Sequence, residues 1–306
     1  MSRPTSRRAP ALGLVYFGLT CLVACSHTRR SGERLPAEIV EVSGMVRSPS
    51  APGVFWVHSD SGNPPRIHAV DASGNIVARA DIEGAANIDW EDIAARDGEL
   101  FIADIGNNFQ LREDLVILRI AEPTIAPGGD ASPTRAPILG RIHIRYPDQK
   151  SYPALRPRFD GEALFWARDS LWIFSKHRDD HKTTLYRVVD PDSEAPQDLE
   201  RIGDFEVGGH NHPYGGMVTA ADVSADRRHL AVLSYHALFI FDLSSAEGAL
   251  YDHPLRRIEL RAPALQQCES VVWDGADLII TNEAGRIFRI ETAADGPPIL
   301  FPEKRE

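Results

Sequence analysis

The sequence predicts an all-β chain, a β-propeller of four-stranded blades, from three observations. Short runs rich in Val, Ile, Leu, Phe and Trp are separated by Gly, Pro, Asp and Asn clusters, the punctuation of strands and tight turns. No long segment carries a helical period. One unit also recurs at a spacing of about 45 residues, which marks propeller blades. Each copy has a short apolar strand led by an acid, a tight turn, a second strand ending on a polar residue, and a third strand.

The first residues stand apart from this pattern. Arg3, Arg7 and Arg8 precede an apolar run, Ala11 to Val23, too short to span a bilayer comfortably, so residues 1–24 have the shape of a secretory signal. The run ends Leu22-Val23-Ala24-Cys25, which resembles the bacterial lipobox. That resemblance implies that Cys25 becomes the first mature residue and carries acyl chains, palmitate among them. Several chains anchor stably where one does not. The expected location is the bacterial cell envelope, and Ser26 after Cys25 points to the outer membrane. An ordinary signal peptide, or an uncleaved anchor with an incidental cysteine, is the alternative. Residues 25–36, polar and without apolar period, read as a tether, and 37–306 as a single propeller domain.

Composition excludes some functions. The chain of 306 residues has a formal charge of −11, and losing residues 1–24 with their three arginines and no acid makes it −14. Long basic runs are absent, so nucleic acid is not an expected partner. Of the three cysteines, Cys21 lies in the signal, Cys25 carries lipid and Cys268 remains, so a mature intramolecular disulfide is not available. Packing must hold the fold.

Taken in order, the first unit runs from Glu41-Val42 through Val54-Phe55-Trp56-Val57 to Arg66–Asp71. The second has Glu91-Asp92-Ile93, Leu100–Asp104 and Leu115–Ile120. The third has Glu162-Ala163-Leu164, Leu171–Lys176 and Thr184–Val188. The fourth has Ala221-Asp222-Val223, Leu230–Tyr235 and Leu238–Asp242. The fifth has Cys268-Glu269-Ser270, Leu278–Asn282 and Arg286–Ile290. From Glu91 to Leu100, Glu162 to Leu171 and Glu269 to Leu278 the offset is nine; counting nine back from Leu230 lands on Ala221, with Asp222 beside it. Val77–Ile82, Ile142–Tyr146, Ile202–Val207 and Ile258–Leu260 supply fourth strands. For the last unit Ile39–Val42 is the candidate, with Ile299–Phe301 competing, which would pair the two chain ends and remove a sheet edge. Five blades are expected, with six as the alternative, and Thr124 to Ala136 reads as a surface loop.

Long polar loops mark a working face: Gly106–Arg112, Ser151–Arg158, Lys176–Lys182 and Gly208–Gly216. The strand-leading acids belong to that face, so Glu91, Glu162, Glu269 and Glu41 should converge at the mouth of a central channel. Crowded carboxylates repel unless a cation, a basic group or protons neutralise them. Acid and amide oxygens suit a hard cation, and calcium is the expected cofactor where these acids converge; the second-strand ends Asp104 and Asn282 lie on the same face. Carboxylates at these positions also serve simply to bind backbone N–H groups and tie blades together. Asp60, Asp92, Asp222, Lys176 and Tyr235 join Glu41 as candidates on the ligand face. Lys176, Arg178, Arg156, Arg158 and Arg112 offer an anion site or paired charges. The loop histidines His177, His181, His210 and His212 and the lone Cys268 read as solvated and buried respectively. Trp56, Trp166, Trp172 and Trp273 fit inter-blade core, and Trp90 is core or pocket wall.

Glu41-Val-Ser-Gly-Met, Trp56-Val-His-Ser-Asp-Ser-Gly, Asp89-Trp-Glu-Asp-Ile-Ala and Asp104-Ile-Gly-Asn-Asn resemble bacterial secreted or lipid-anchored propellers of the phytase-like and NHL-type (TolB-like) group. The resemblance covers most of residues 38–292. It implies calcium at the mouth with phosphoester hydrolysis, or one channel metal with lactone hydrolysis, and reaches Glu91, Glu162, Glu269, Asp104 and Asn282 as ligands. Two functions follow. One is an envelope-anchored binding module holding an unknown protein, glycan or small ligand on the loop face. The other is a metal-dependent hydrolase of phosphoesters, carboxyl esters or lactones, using ion-activated water with Glu91 or Asp92 as base.

Overall fold

Alternating apolar runs joined by tight turns fold here as a succession of antiparallel meanders. The computed structural model describes residues 28–29, 34–126, 132–209, 215–244, 253–260 and 267–292. The expected signal, Cys25, most of the tether, His210, His212 and Ile299–Phe301 lie outside the described residues. No helix occurs among those described, and none is long and apolar enough to cross a membrane.

Among the described residues five four-stranded units follow one another, and the protein is a β-propeller. Val42–Arg47, Val54–Ser59, Arg66–Asp71 and Ile76–Glu83 form the first. Trp90–Arg96, Glu99–Asp104, Val116–Ala121 and Pro133–Arg145 form the second. Asp160–Ala167, Ser170–Lys176, Lys182–Arg187 and Glu200–Glu206 form the third. Val218–Val223, His229–Ser234, Ala237–Asp242 and Arg256–Glu259 form the fourth. Cys268–Asp274, Asp277–Asn282, Ile287–Ile290 and Thr28–Arg29 form the fifth. The innermost strand of each unit touches those of the two adjacent units, and the cycle closes from the fifth back to the first.

Burial follows from this stacking. A strand sandwiched between two neighbouring units is covered on both faces, and Ser170–Lys176 is buried at every position. Outer strands are half covered, and Ile76–Glu83 alternates accordingly. Apolar clusters fill each interface. Trp56, Trp90 and Leu100 pack between the first and second units, and Phe101, Ile117 and Leu164 between the second and third. Phe165, Phe174, Phe239 and Phe241 follow, then Leu233, Trp273 and Ile280. Val42, Phe55, Val272 and Ile279 seal the fifth unit against the first. Each such side chain is worth about 1.5–3 kcal/mol when fully buried, and this packing holds the described residues, whose single cysteine is Cys268. Trp90 belongs to the core: it is fully buried and its indole N–H donates to Ala86 O at 3.2 Å.

Two elements differ from the sequence reading. The stretch ending the expected loop is strand: Pro133–Pro137 pairs in parallel with Arg79–Glu83 of the first unit, and Ile138–His143 then pairs with the second unit's Val116–Ile120. Pro133 and Pro137 fit here because prolines are tolerated where a strand begins or changes partner. At the N-terminus the outer strand of the fifth unit is Thr28–Arg29, set against Arg289 and Ile290, rather than Ile39–Val42. Val42 opens the first unit's innermost strand, and Leu35 and Ile39 are buried in the seam beneath it, so that stretch is not free to serve as an edge. Part of the segment read as tether is therefore laid onto the propeller.

Candidate functional site

Every innermost strand begins with a β-bulge. The register shifts between Val42 and Gly44, Trp90 and Ile93, Gly161 and Ala163, Val218 and Ala220, and Cys268 and Ser270. A bulge leaves an unpaired residue and re-aims its side chain. The bulged residues include Ser43, Glu91, Glu162, Thr219 and Glu269. The first unit's seat is thus Ser43 rather than Glu41, and the fourth is Thr219 rather than Ala221. Counting nine from Leu230 failed because Val223 pairs directly with Leu230, leaving a turn two residues longer than the one between Trp166 and Leu171.

Ser43, Glu91, Glu162 and Glu269 line a cavity of about 170 Å³ at this end of the channel, with Glu41, Asp60, Asn108, Lys176, Arg178, Tyr235 and Glu283. Thr219 turns its hydroxyl to Cys268 O at 2.8 Å instead. Most buried acids here have partners. Lys176 Nζ lies 2.7 Å from Glu162 Oε1 and 5.3 Å above the Tyr235 ring, and Tyr235 donates its hydroxyl to Glu269 Oε1 at 2.5 Å. Asp160, fully buried, accepts from Asn107 N at 2.6 Å and from Arg178 Nη2 at 2.6 Å. Burial would push the Lys176 pKa down, but the Glu162 charge reverses this and holds it well above the ordinary value.

Glu91 is different. It is only 8% exposed, yet among the described residues nothing donates a hydrogen bond to its carboxylate and no basic group lies within ion-pair distance. Its oxygens share two tight groups: one with Asp160 and Glu162, the other with Asp60 and Asp89, each within 4.8 Å. Gly106 makes this possible, since a Cβ there would collide with both Glu91 Oε1 and the Asp89 carboxylate. Burial first, then the Glu162 and Asp160 charges, push the Glu91 carboxyl well above its usual range. Burial, with Asp160 and Asp60 adding to it, takes Asp89 up to about 6. Glu269 is pushed up to about 7 by burial, against the pull of Lys176.

The remaining candidates serve the scaffold. Asp92 Oδ1 accepts from Ile93 N at 2.8 Å, and its Oδ2 from Leu164 N at 2.9 Å and Ala221 N at 3.2 Å, joining three units near the axis. Asp222 accepts from Trp273 N at 2.8 Å and so ties the fourth unit to the fifth. It lines a second cavity, of about 220 Å³, at the far end of the channel beside Arg47 and Trp166. Asp104 and Asn282 stand outside the acidic cavity's lining. Asp104 pairs with Arg112 Nη1 at 2.9 Å and accepts from Asp89 N at 3.2 Å, so it positions the Asp89 backbone. Asn282 Oδ1 accepts from Arg286 N at 3.0 Å and closes a turn. His177 uses both ring nitrogens, on Asp180 and Thr184 at 2.9 Å each, and Arg158 neutralises Asp179 and Asp180.

Sequence reasoning did not name Asp160, Asp89 and Glu283 as ligands, although Asp89 opens the Asp89-Trp-Glu-Asp motif. A signal for the first two exists: Asp89-Trp90-Glu91 and Asp160-Gly161-Glu162 repeat an acid two residues before the strand-leading one.

No protein-family model and no curated protein matches this chain. Among solved structures it is similar to hydrazine synthase of Kuenenia stuttgartiensis, with 12% identity, TM-score 0.43, and coverage of 87% of this chain and 99% of that one. A putative 6-phosphogluconolactonase from Bacteroides uniformis is 13% identical with TM-score 0.39, over 83% of this chain and 66% of that one. The β-propeller domain of Cps50 (Swd1) from Myceliophteria thermophila is 12% identical with TM-score 0.37, over 82% of this chain and 84% of that one. At such identities the likeness is one of fold alone.

Proposed function

We propose that this protein is an envelope-anchored binding module that holds a divalent cation, calcium, at the acidic mouth of its channel. The observation that carries the reading is Glu91, a buried carboxylate without a partner that faces the cavity. Such a group must be protonated or must meet a cation. Asp60, Asp89 and Glu91 form the better seat, because the adjoining Asp160 and Glu162 already have Arg178 and Lys176. All donors are hard oxygens, as calcium prefers. Binding is favoured over hydrolysis because Asp92, the acid beside Glu91, is engaged with three backbone amides and is not placed to act as a base. The anchor is the acylated Cys25 expected from the lipobox, in the outer membrane.

The test is thermal. Full-length protein stripped with a chelator should gain melting temperature on adding calcium, by the equivalent of about 2.7 kcal/mol at a hundredfold excess over Kd. Glu91→Gln should remove that gain while leaving the fold intact by circular dichroism. Metal analysis finding no ion, with no melting shift on calcium titration, overturns the reading.

A further inference from the structure

We propose that the acidic mouth and its rim dock a polypeptide presenting basic side chains beside apolar ones. This rests on the binding-module reading and names the class of partner. Of the nine large apolar side chains exposed among the described residues, six belong to connections on the mouth face: Val40, Ile88, Phe109, Leu111, Tyr152 and Leu155. Phe109 and Leu155 are 81% and 97% exposed, and apolar groups gathered on one rim, rather than scattered singly, mark an interaction surface.

The loop that presents Phe109 and Leu111 is held firmly. Between them Gln110 is buried and takes a left-handed backbone, φ 58°. Its amide donates to Asn107 O at 2.7 Å, and its Oε1 accepts from Phe159 N at 2.7 Å. Gln149 in turn donates to Gln110 O at 3.2 Å, lacing this loop to the one that carries Tyr152 and Leu155. A side chain held outward by an anchored neighbour loses little entropy on docking.

Charge decides the occupant. Six carboxylates line the cavity, against Lys176 and Arg178, and both of those cations are already paired with acids. A calcium ion at Asp60, Asp89 and Glu91 still leaves Glu41, Glu269 and Glu283 facing the opening. A polypeptide crossing the mouth would set basic side chains over the first and fifth units and apolar ones on the loops of the second. An anionic bilayer is disfavoured by the same acids. Two basic residues of those loops are also spent, Arg112 on Asp104 and Asp114, and Arg158 on Asp179 and Asp180.

The probe is a labelled peptide of about ten residues alternating Lys and Phe, read by fluorescence anisotropy on the full chain in detergent. Controls replace Lys with Glu, or Phe with Ser. The parent peptide should bind about tenfold tighter than either control. Phe109→Ser with Leu111→Ser should weaken it about tenfold and leave the calcium-induced melting rise unchanged. Glu41→Gln with Glu283→Gln should weaken it similarly, and Asp190→Asn with Glu194→Gln, on the opposite face, should not. Equal losses on both faces would mean diffuse attraction and overturn the proposal, as would no loss in the Phe109/Leu111 variant. Quenching of a fluorophore at Leu155→Cys by nitroxide lipids in nanodiscs would place the patch in a bilayer and overturn it too. Peptide docking without any calcium response would uphold this inference and remove the metal reading.

Discussion

Glu91 and Glu162 lead equivalent strands, yet they differ in what neutralises them. Glu162 meets Lys176 at 2.7 Å inside the protein, whereas Glu91 meets only other acids. Their pH behaviour follows. Asp89, at about 6, and Glu269, at about 7, both sit above the carboxylate values of an unfolded chain. From about pH 4 upward the unfolded chain has released protons that the folded one still holds, so stability falls as pH rises through that window. Surface acids held down by arginines, such as Asp81 beside Arg66, act below it. Buried His58 and His68, lowered to about 4, oppose this until about pH 6.5, where a free imidazole titrates, so the melting temperature of chelated protein should fall most plainly between about pH 6.5 and pH 8. Calcium should flatten that fall, because it binds the ionised form. Calorimetry at pH 6 in buffers of different ionisation enthalpy should register proton release on calcium binding. A chelated protein that gains stability across this range contradicts the buried-acid account.

At the scale of elements, the bulge is the device that makes the site, and the turn lengths set who occupies it. Two-residue turns in the second, third and fifth units keep the offset of nine, so Glu91, Glu162 and Glu269 are legible from spacing alone. The longer turns of the first and fourth units break the count, so Ser43 and Thr219 are not. Asp92 shows the other use of a carboxylate at a strand start, the inter-blade tie that the sequence left open as an alternative. Asp92→Ala would strand three buried amide donors and should cost about 3 kcal/mol in urea unfolding, whereas Asp92→Asn, which keeps an acceptor oxygen, should cost clearly less. Equal costs would show that the amide bonds do not hold the units together.

For the whole molecule, strand direction sets an orientation. Innermost strands run away from the acidic mouth, so outer strands run back towards it. Thr28–Arg29, antiparallel to Ile287–Ile290, enters from the opposite face. With the proposed acylation at Cys25, three residues upstream and within about 10 Å of chain, the membrane would lie on that face and the mouth would look away from it. Nitroxide lipids should then quench a fluorophore at Asp190→Cys, on the far face, and spare one at Leu155→Cys. The reverse pattern would exclude this orientation.

The sequence by itself determined the propeller class, the strand order within units, the mouth face and three of its acids. These are written in local terms, as alternation, turn residues and a repeated offset. Only the tertiary structure decided that Lys176 answers Glu162, that Arg178 answers Asp160, and that Glu91 goes unanswered. It also decided that Asp92 and Asp222 belong to the scaffold, and that residues 28–29 complete the fifth unit. These facts depend on how separate units are rotated against one another around the channel, and a pairing across that gap leaves no periodic trace in the chain.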